Sequence, residues 1–306
     1  MTLEIRSLEH FIAVAEDRGF AKAARRLGMS QPSLTRSIAQ LEGLIGTQLF
    51  TRSTSGTTIT LDGRRLLSHA QMIVNEAKRA ETLFSSGEEV LDQITIGTSP
   101  SLLHSGLPDA IRAVATGPRT AGVVVVTGTL EHLQASIRAR EIDVALCLVP
   151  TYLAMSQGDG VELFFEEIGR ETLVAVAAPD HAIFDGPPSL ERTSAHGWAV
   201  PHQMSVSYRF ETVFYRRNLP IPPQRLNCAS MALLKTAVAD WSLIGIVPHR
   251  LVADELASGA LRRIELEELS FDFAITLITT KTAPLSEAAL LLIAELRSRF
   301  GANQSG

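Results

Sequence analysis

The sequence predicts an α/β protein in three parts: a small N-terminal helical domain (residues 1–62), one long helix (63–88) and a two-lobed α/β body (89–306). Three observations predict it. Before residue 60, apolar residues recur at helical spacing and glycines break them into short pieces. An a/d pattern of apolar residues then continues for some twenty residues. Beyond it, strand-sized apolar runs alternate with helical patterns, as in βαβ units.

The 306 residues are 45% hydrophobic and 20% charged, which excludes a mainly disordered chain and leaves length for more than one domain. No apolar run approaches the ~18 residues of a membrane span. Met1–Arg6 contains Glu4 and lacks the apolar core of a signal peptide. Two distant cysteines, Cys147 and Cys228, suit a reducing compartment and make no metal-ligand pair by spacing. A cytoplasmic location and no membrane partner are expected.

In the first part, Leu8, Phe11, Ile12 and Ala15 give one helix over about 6–17, and Arg18-Gly19 breaks it. Phe20, Ala21, Ala24 and Leu27 mark a second, ended by Gly28. Ser30 reads as the N-cap of a third, with Pro32 in its first turn and Leu34, Ile38, Leu41 and Ile45 as its apolar stripe. The other face of the third helix shows Gln31, Ser33, Thr35, Arg36 and Gln40. Two short helices joined by Gly28-Met29-Ser30, the second small and polar outside, describe a helix-turn-helix able to enter a major groove. Leu49–Arg52 and Thr58–Leu61 flank Ser53–Thr57 as a hairpin, or wing. Charge agrees: the net charge is −5, yet no acidic residue lies between Asp17 and Glu42, where Arg18, Lys22, Arg25, Arg26 and Arg36 stand. A solvated basic helix face would show the same pattern.

Phe11–Glu16, Phe20–Leu27, Ser30–Ile38, Leu41-Glu42 and Gly46–Arg52, in register over about sixty residues, resemble the winged helix-turn-helix of LysR-type transcriptional regulators. The resemblance implies that Gln31, Pro32, Ser33, Thr35 and Arg36 face DNA from the recognition helix and Arg52 from the wing, with Lys22 acting on the backbone. Gln31 and Ser33 could instead serve only the helix start, and Pro32 only its first turn; Arg36 has no obvious internal partner. The implied partners are promoter DNA, a small-molecule effector, further copies of the chain as a homodimer or homotetramer, and RNA polymerase. No cofactor is implied.

Thr60 is expected to cap the long helix. Leu66, Ala70, Ile73, Ala77, Ala80 and Phe84 follow at alternating spacings of four and three, with Leu67 and Val74 widening the stripe. The stripe could pack on its own first domain or on a second copy. The resemblance favours the second copy, with Leu66, Ala70, Ile73, Ala77 and Phe84 at a dimer interface. Ser85-Ser86-Gly87 ends the helix.

In the body, strands at Ile94–Gly97, Val123–Thr127 and Asp143–Val149 alternate with two helices, a βαβαβ run that wants a parallel sheet. A second run holds strands at Thr172–Ala178, Arg225–Cys228 and Leu243–Val247. Phe273–Thr280 and a helix over about Leu285–Phe300 close the chain. The resemblance implies a periplasmic-binding-protein-like (type 2) effector domain. Its first lobe would hold about 89–161 and 268–301, its second 162–267, with crossings near Val161–Phe165 and Glu267–Phe271. Trp241-Ser242-Leu243 departs from the glycine-rich turn of many members. Ligands bind at the carboxyl ends of strands in such sheets. Four strand-to-helix junctions there carry hydroxyls: Thr98–Ser101, Gly128-Thr129, Ser205 and Ser230. Ser205 and Ser230 read as helix caps. Each of the other hydroxyls could also only cap its helix, but Ser99 and Thr129 fall where the resemblance implies an inducer site. Thr98, Ser99, Ser101 and Thr129 from one lobe, and His202 and Gln203 from the other, are the candidate effector contacts, for a small anionic or polar metabolite.

No Gly-x-Ser-x-Gly, Gly-Lys-Ser/Thr, His-Glu-x-x-His or Cys-x-x-Cys motif occurs. The rival reading, an enzyme or solute-binding protein carrying a helix-turn-helix-like N-terminus, needs a catalytic constellation or an export signal.

Overall fold

A computed structural model describes residues 3–53, 56–85, 92–117, 121–151, 163–281 and 284–301. The chain forms two compact units: Met1–Leu91 with Ala135–Ile142, and Asp92–Gln134 with Asp143–Gly306.

In the first unit, α1 (Ile5–Asp17), α2 (Phe20–Arg26) and α3 (Gln31–Ile45) precede a two-stranded wing, β1 (Phe50–Ser53) and β2 (Gly56–Ile59), and a long helix, α4 (Leu61–Ser85). The core joins Leu8, Phe11 and Val14 of α1 to Phe20, Ala24, Leu34, Ile38 and Leu41. Ser30 caps α3, its Oγ accepting the Ser33 amide at 3.3 Å, and Gly46 closes it at φ 82°. The Glu42 carboxylate accepts the amides of Leu49 and Phe50 at 2.7 and 3.2 Å, which ties the wing to α3. Thr60 caps α4 by accepting the Gly63 amide at 2.9 Å. A Cβ on Gly63 would collide with the Leu49 carbonyl oxygen, so α4 starts this close to the wing only because the residue is glycine.

The long helix corrects the expected interface. Ala70 is fully buried within its own unit, with Val74 beside it, and Leu66 and Leu67 pack on the same core. The apolar stripe is broad, and one edge of it meets α1 of the same chain. Ile73, 42% exposed, and the half-buried Ala77 lie outside that core. The side chain of Phe84, and Ser86 and Gly87 altogether, lie outside the described residues.

The first lobe of the second unit contains β3 (Asp92–Thr98), α5 (Leu107–Ala115), β4 (Ala121–Thr127), the first half of α6 (Leu130–Arg138), whose residues from Ala135 on belong to the first unit, and β5 (Val144–Pro150). A long strand, β6 (Leu163–Ala177), leads into the second lobe. There follow α7 (Leu190–Ser194), β7 (Trp198–Pro201), α8 (Met204–Arg216), β8 (Gln224–Cys228), α9 (Met231–Asp240), β9 (Ile244–Pro248), α10 (Ala253–Ser258) and β10 (Arg262–Arg263). Then β11 (Phe271–Thr280) and α11 (Glu287–Gly301) return to the first lobe. The strands form one sheet in the order β4-β3-β5-β11-β6-β9-β7-β8, with β10 on β6. Pairing is parallel within β4-β3-β5 and within β9-β7-β8. It is antiparallel along β11 and β6, so the parallel sheet that the first βαβαβ run called for is present in β4-β3-β5, within a sheet that is mixed as a whole.

Leu163–Leu173 of β6 pair with β11, and Leu173–Val176 pair with β9. The chain therefore passes between lobes at about Leu173, inside an unbroken strand, and not at Val161–Phe165; Val161 and Glu162 lie outside the described residues. Three side chains brace this crossing. Arg250, after β9, sets its Nε 3.5 Å from the buried Glu171 carboxylate, donates to the Arg170 carbonyl at 3.2 Å and lies 5.6 Å from the Phe300 ring of α11. Arg209 of α8 donates to the Asp272 carbonyl at 2.8 Å between the rings of Phe271 and Phe273. Thr172 donates to the Asp272 carboxylate at 2.8 Å.

Burial pushes the Glu171 carboxyl above its ordinary 4.5, against the pull of Arg250 and of backbone N–H groups of Arg250, Thr172 and His249. A raised acid favours the protonated native state, so its contribution is full below pH 4.5 and is lost as pH rises through the raised value. Glu171→Gln keeps an acceptor and does not titrate. Melting temperatures of the two proteins should therefore shift in favour of the variant as pH rises from 4.5 to 8. A shift in favour of the parent would mean that Arg250 outweighs burial.

Candidate functional sites

Two sites emerge, one in each unit. The first is the outer face of α3. Gln31, Pro32 and Arg36 are exposed and Thr35 half-exposed; with Ala39 they line a shallow open groove. Ser33 is exposed, but its hydroxyl lies 2.7 Å from that of the Ser30 cap, so it serves the helix start at least in part. The basic stretch is less open than its composition implies. Lys22 lies 3.3 Å from Asp17, and Arg26 pairs with Glu16 and Asp17 at 2.8 and 2.9 Å. Arg36 makes no ion pair among the described residues. Arg52 lies on β1, and its side chain falls outside the described residues.

The second site is a cavity of about 550 Å³ between the lobes of the second unit. All four expected strand-to-helix junctions reach it: Ser99–Ser101, Thr127–Glu131, Pro201–Ser205, and Ala229 with Met231. The junctions meet because the parallel strands of the two lobes run in opposite directions and point their carboxyl ends at each other, and the chain turns into a helix at each of those ends.

The hydroxyls divide by role. Thr98 is fully buried and donates to the Leu146 carbonyl at 3.0 Å. It is not on the cavity wall, because along a strand alternate side chains face opposite ways and its neighbour Ser99 takes the wall position. Ser99 accepts the Leu148 amide at 3.2 Å, which extends the bond between β3 and β5 past the end of the ladder. Ser101 is 9% exposed, and its Oγ is buried without a hydrogen-bond partner among the described residues. A buried hydroxyl left unpaired is costly, so it is the polar atom best placed to receive a ligand. Thr129 accepts the His132 amide at 3.3 Å and caps α6 from the cavity wall.

From the second lobe, His202 sets its Nδ1 2.6 Å from Asn227 Oδ1. Gln203 is the N-cap of α8 without a side-chain cap bond. Ser205 is no cap: it stands inside the first turn of α8 and lines the cavity. Ser230 does cap α9, accepting the Leu233 amide at 3.3 Å. The sequence reasoning missed the apolar wall of Leu148, Pro150, Leu173, Met204, Tyr208 and Met231, and Glu131. The signal for Glu131 was its place two residues after Thr129. Leu173 carried none, since it lines the cavity only because β6 crosses there.

The bacterial regulatory helix-turn-helix model of the lysR family matches residues 5–64, and the LysR substrate binding domain matches residues 87–301. The chain belongs to the LysR family of transcriptional regulators. The HTH-type transcriptional regulator YdcI of Escherichia coli K12 is 24% identical over 299 residues, 96% of this chain and 95% of YdcI. ArgP of Mycobacterium tuberculosis superposes with a TM-score of 0.70 at 18% identity, over 99% of this chain and 98% of ArgP. LysG of Corynebacterium glutamicum, solved with its effector Arg bound, superposes with a TM-score of 0.63 at 17% identity, over 97% of this chain and 98% of LysG. As a LysR-family regulator it has a DNA-binding domain and an effector-binding domain, and it is not an enzyme.

Thiol chemistry does not add to this site. Cys147 is fully buried in β5, and burial pushes its thiol up to about 12, which leaves almost no thiolate at neutral pH. Cys228 is half-buried and close to the Ser230 carbonyl at 3.5 Å. A thiol-exchange reagent should label Cys228 alone in the native regulator and Cys147 only after denaturation. Labelling of Cys147 at a comparable rate in the native protein would contradict its enclosure.

Proposed function

We propose that this regulator works in the cytoplasm, gripping promoter DNA through Gln31, Pro32, Thr35 and Arg36 on α3 and Arg52 on the wing. Lys22 and Ser33 act at the edge of that contact. A small molecule held between the lobes by Ser99, Ser101, Thr129, His202 and Gln203 changes the grip. The observation that carries the second half is the meeting of four helix starts from two lobes on one cavity. A ligand touching both lobes favours one interlobe angle, and it shifts the regulator only by its difference in affinity between the two arrangements. Ile73 and Ala77 are the proposed contacts between copies in a homodimer or homotetramer, since Ala70 and Leu66 are engaged within the chain. RNA polymerase is a proposed further partner. LysG, with its bound effector, supports the effector half of the reading.

The effector half is tested at Ser101, because its hydroxyl has no structural partner. A thermal-shift screen of the full chain against small metabolites should first find a stabilising ligand. Ser101→Ala should then lose at least tenfold in response to that ligand and still bind operator DNA without it; an unchanged response would place the ligand elsewhere. Ser99→Ala is a poorer test, because it also strips the Leu148 amide of its acceptor.

For the DNA half, Arg36→Ala should cost about 1–3 kcal/mol of specific binding if the guanidinium reads a base edge. If it touches only phosphate, it should instead lower the salt slope by about one. Operator titrations at several salt concentrations distinguish the two, and unchanged affinity with an unchanged slope would remove Arg36 from the interface.

A further inference from the structure

Resting on the reading that the interlobe cavity holds the effector, the chemistry of its walls narrows the class of ligand. Among the described residues lining it, none is Lys or Arg, and the one carboxylate is Glu131. Glu131 stands in the first turn of α6, where a negative charge suits the helix dipole.

The second lobe supplies another acceptor. Asn227 donates its amide Nδ2 to Gln224 at 3.0 Å, which leaves Oδ1 to accept from His202 Nδ1 at 2.6 Å. In the neutral ring Nε2 then carries a lone pair. Donors gather elsewhere: the unpartnered Ser101 hydroxyl, and the first amides of α8, which no side chain caps. Leu148, Leu173 and Tyr208 give the cavity an apolar wall between.

We propose that the effector is an α-amino acid or a related zwitterion with an apolar body. Its ammonium group sits against Glu131, with His202 in support, and its carboxylate receives hydrogen bonds from Ser101 and the start of α8. Glu131 is the specificity-determining residue. A dicarboxylate would bring a like charge to an uncompensated carboxylate, and a monocarboxylic acid lacking the amine would leave Glu131 partly desolvated and without a counter-ion. Within the expectation of a small anionic or polar metabolite, this narrows the class to a molecule with both charges.

The test is calorimetric titration of the full-length regulator with three kinds of probe. These are L-leucine and L-phenylalanine, their amine-free analogues 4-methylpentanoate and 3-phenylpropanoate, and succinate. The amino acids should bind the parent at least tenfold more tightly than the other probes. Glu131→Gln, an exposed and isosteric change, should erase that preference and lower the melting temperature only slightly, through the lost charge at the start of α6. Amine-free acids or succinate binding the parent as tightly as the amino acids overturns the assignment, as does a preference undiminished in Glu131→Gln. If those acids bind and Ser101→Ala weakens them, the cavity reading survives and only the ligand class falls. Absence of binding by every probe overturns the class as well, and the metabolite screen on Ser101→Ala then decides the cavity reading separately.

Discussion

A strand shared by both lobes is the constraint on which the effector domain depends. β6 pairs with β11 along Leu163–Leu173 and with β9 along Leu173–Val176, so the lobes are joined by continuous backbone hydrogen bonding. A flexible linker would let the lobes take many angles. A strand of one sheet shared by both lobes limits them to small bends about one line, and Arg250, Arg209 and Thr172 brace that line. The register slip between Ile275 and Thr276 bends β11 close by. Leu173 belongs at once to the crossing and to the cavity wall, so a ligand pressed on the wall acts on the crossing itself.

The crossing also makes the cavity. Because β6 and β11 run antiparallel to their neighbours, the parallel strands of the first lobe run opposite to those of the second, so the two sets of strand ends and helix starts face each other. Each lobe contributes hydroxyls and amides, while the apolar wall comes largely from strand ends and the first turns of α8 and α9. The lobe cores sit behind this surface. Trp198, fully buried, packs on Phe210 and Phe214 of α8 and donates its indole N–H to the Thr193 carbonyl at 3.0 Å. Burial of each such ring contributes about 1.5–3 kcal/mol, enough to hold the exposed face of α8 in place.

Much of this was legible in the residues. The three short helices, the Ser30 and Thr60 caps and the four strand-to-helix junctions follow from local periodicity and capping chemistry, which act over a few residues. What was not legible depends on residues distant in the chain. Glu166-Glu167 interrupt the apolar pattern of β6, so its first half did not read as strand, and with it went the position of the crossing. Ala70 read as a contact between copies because a seam on a lone helix does not say whether α1 or a second copy covers it. Thr98 and Ser99 are adjacent hydroxyls, and only the pleat of β3 sends one to Leu146 and the other to the cavity. The basic stretch hid that Glu16 and Asp17 fold back on Lys22 and Arg26.

The central claim is that one ligand engages both lobes at once across the shared strand. Hydrogen exchange of the full-length regulator, with and without its effector, tests it most directly. The account predicts slowed exchange together at residues 99–102, 128–132 and 202–206, with a smaller change at 171–173. Protection confined to one lobe, or absent from all three junctions, would contradict it.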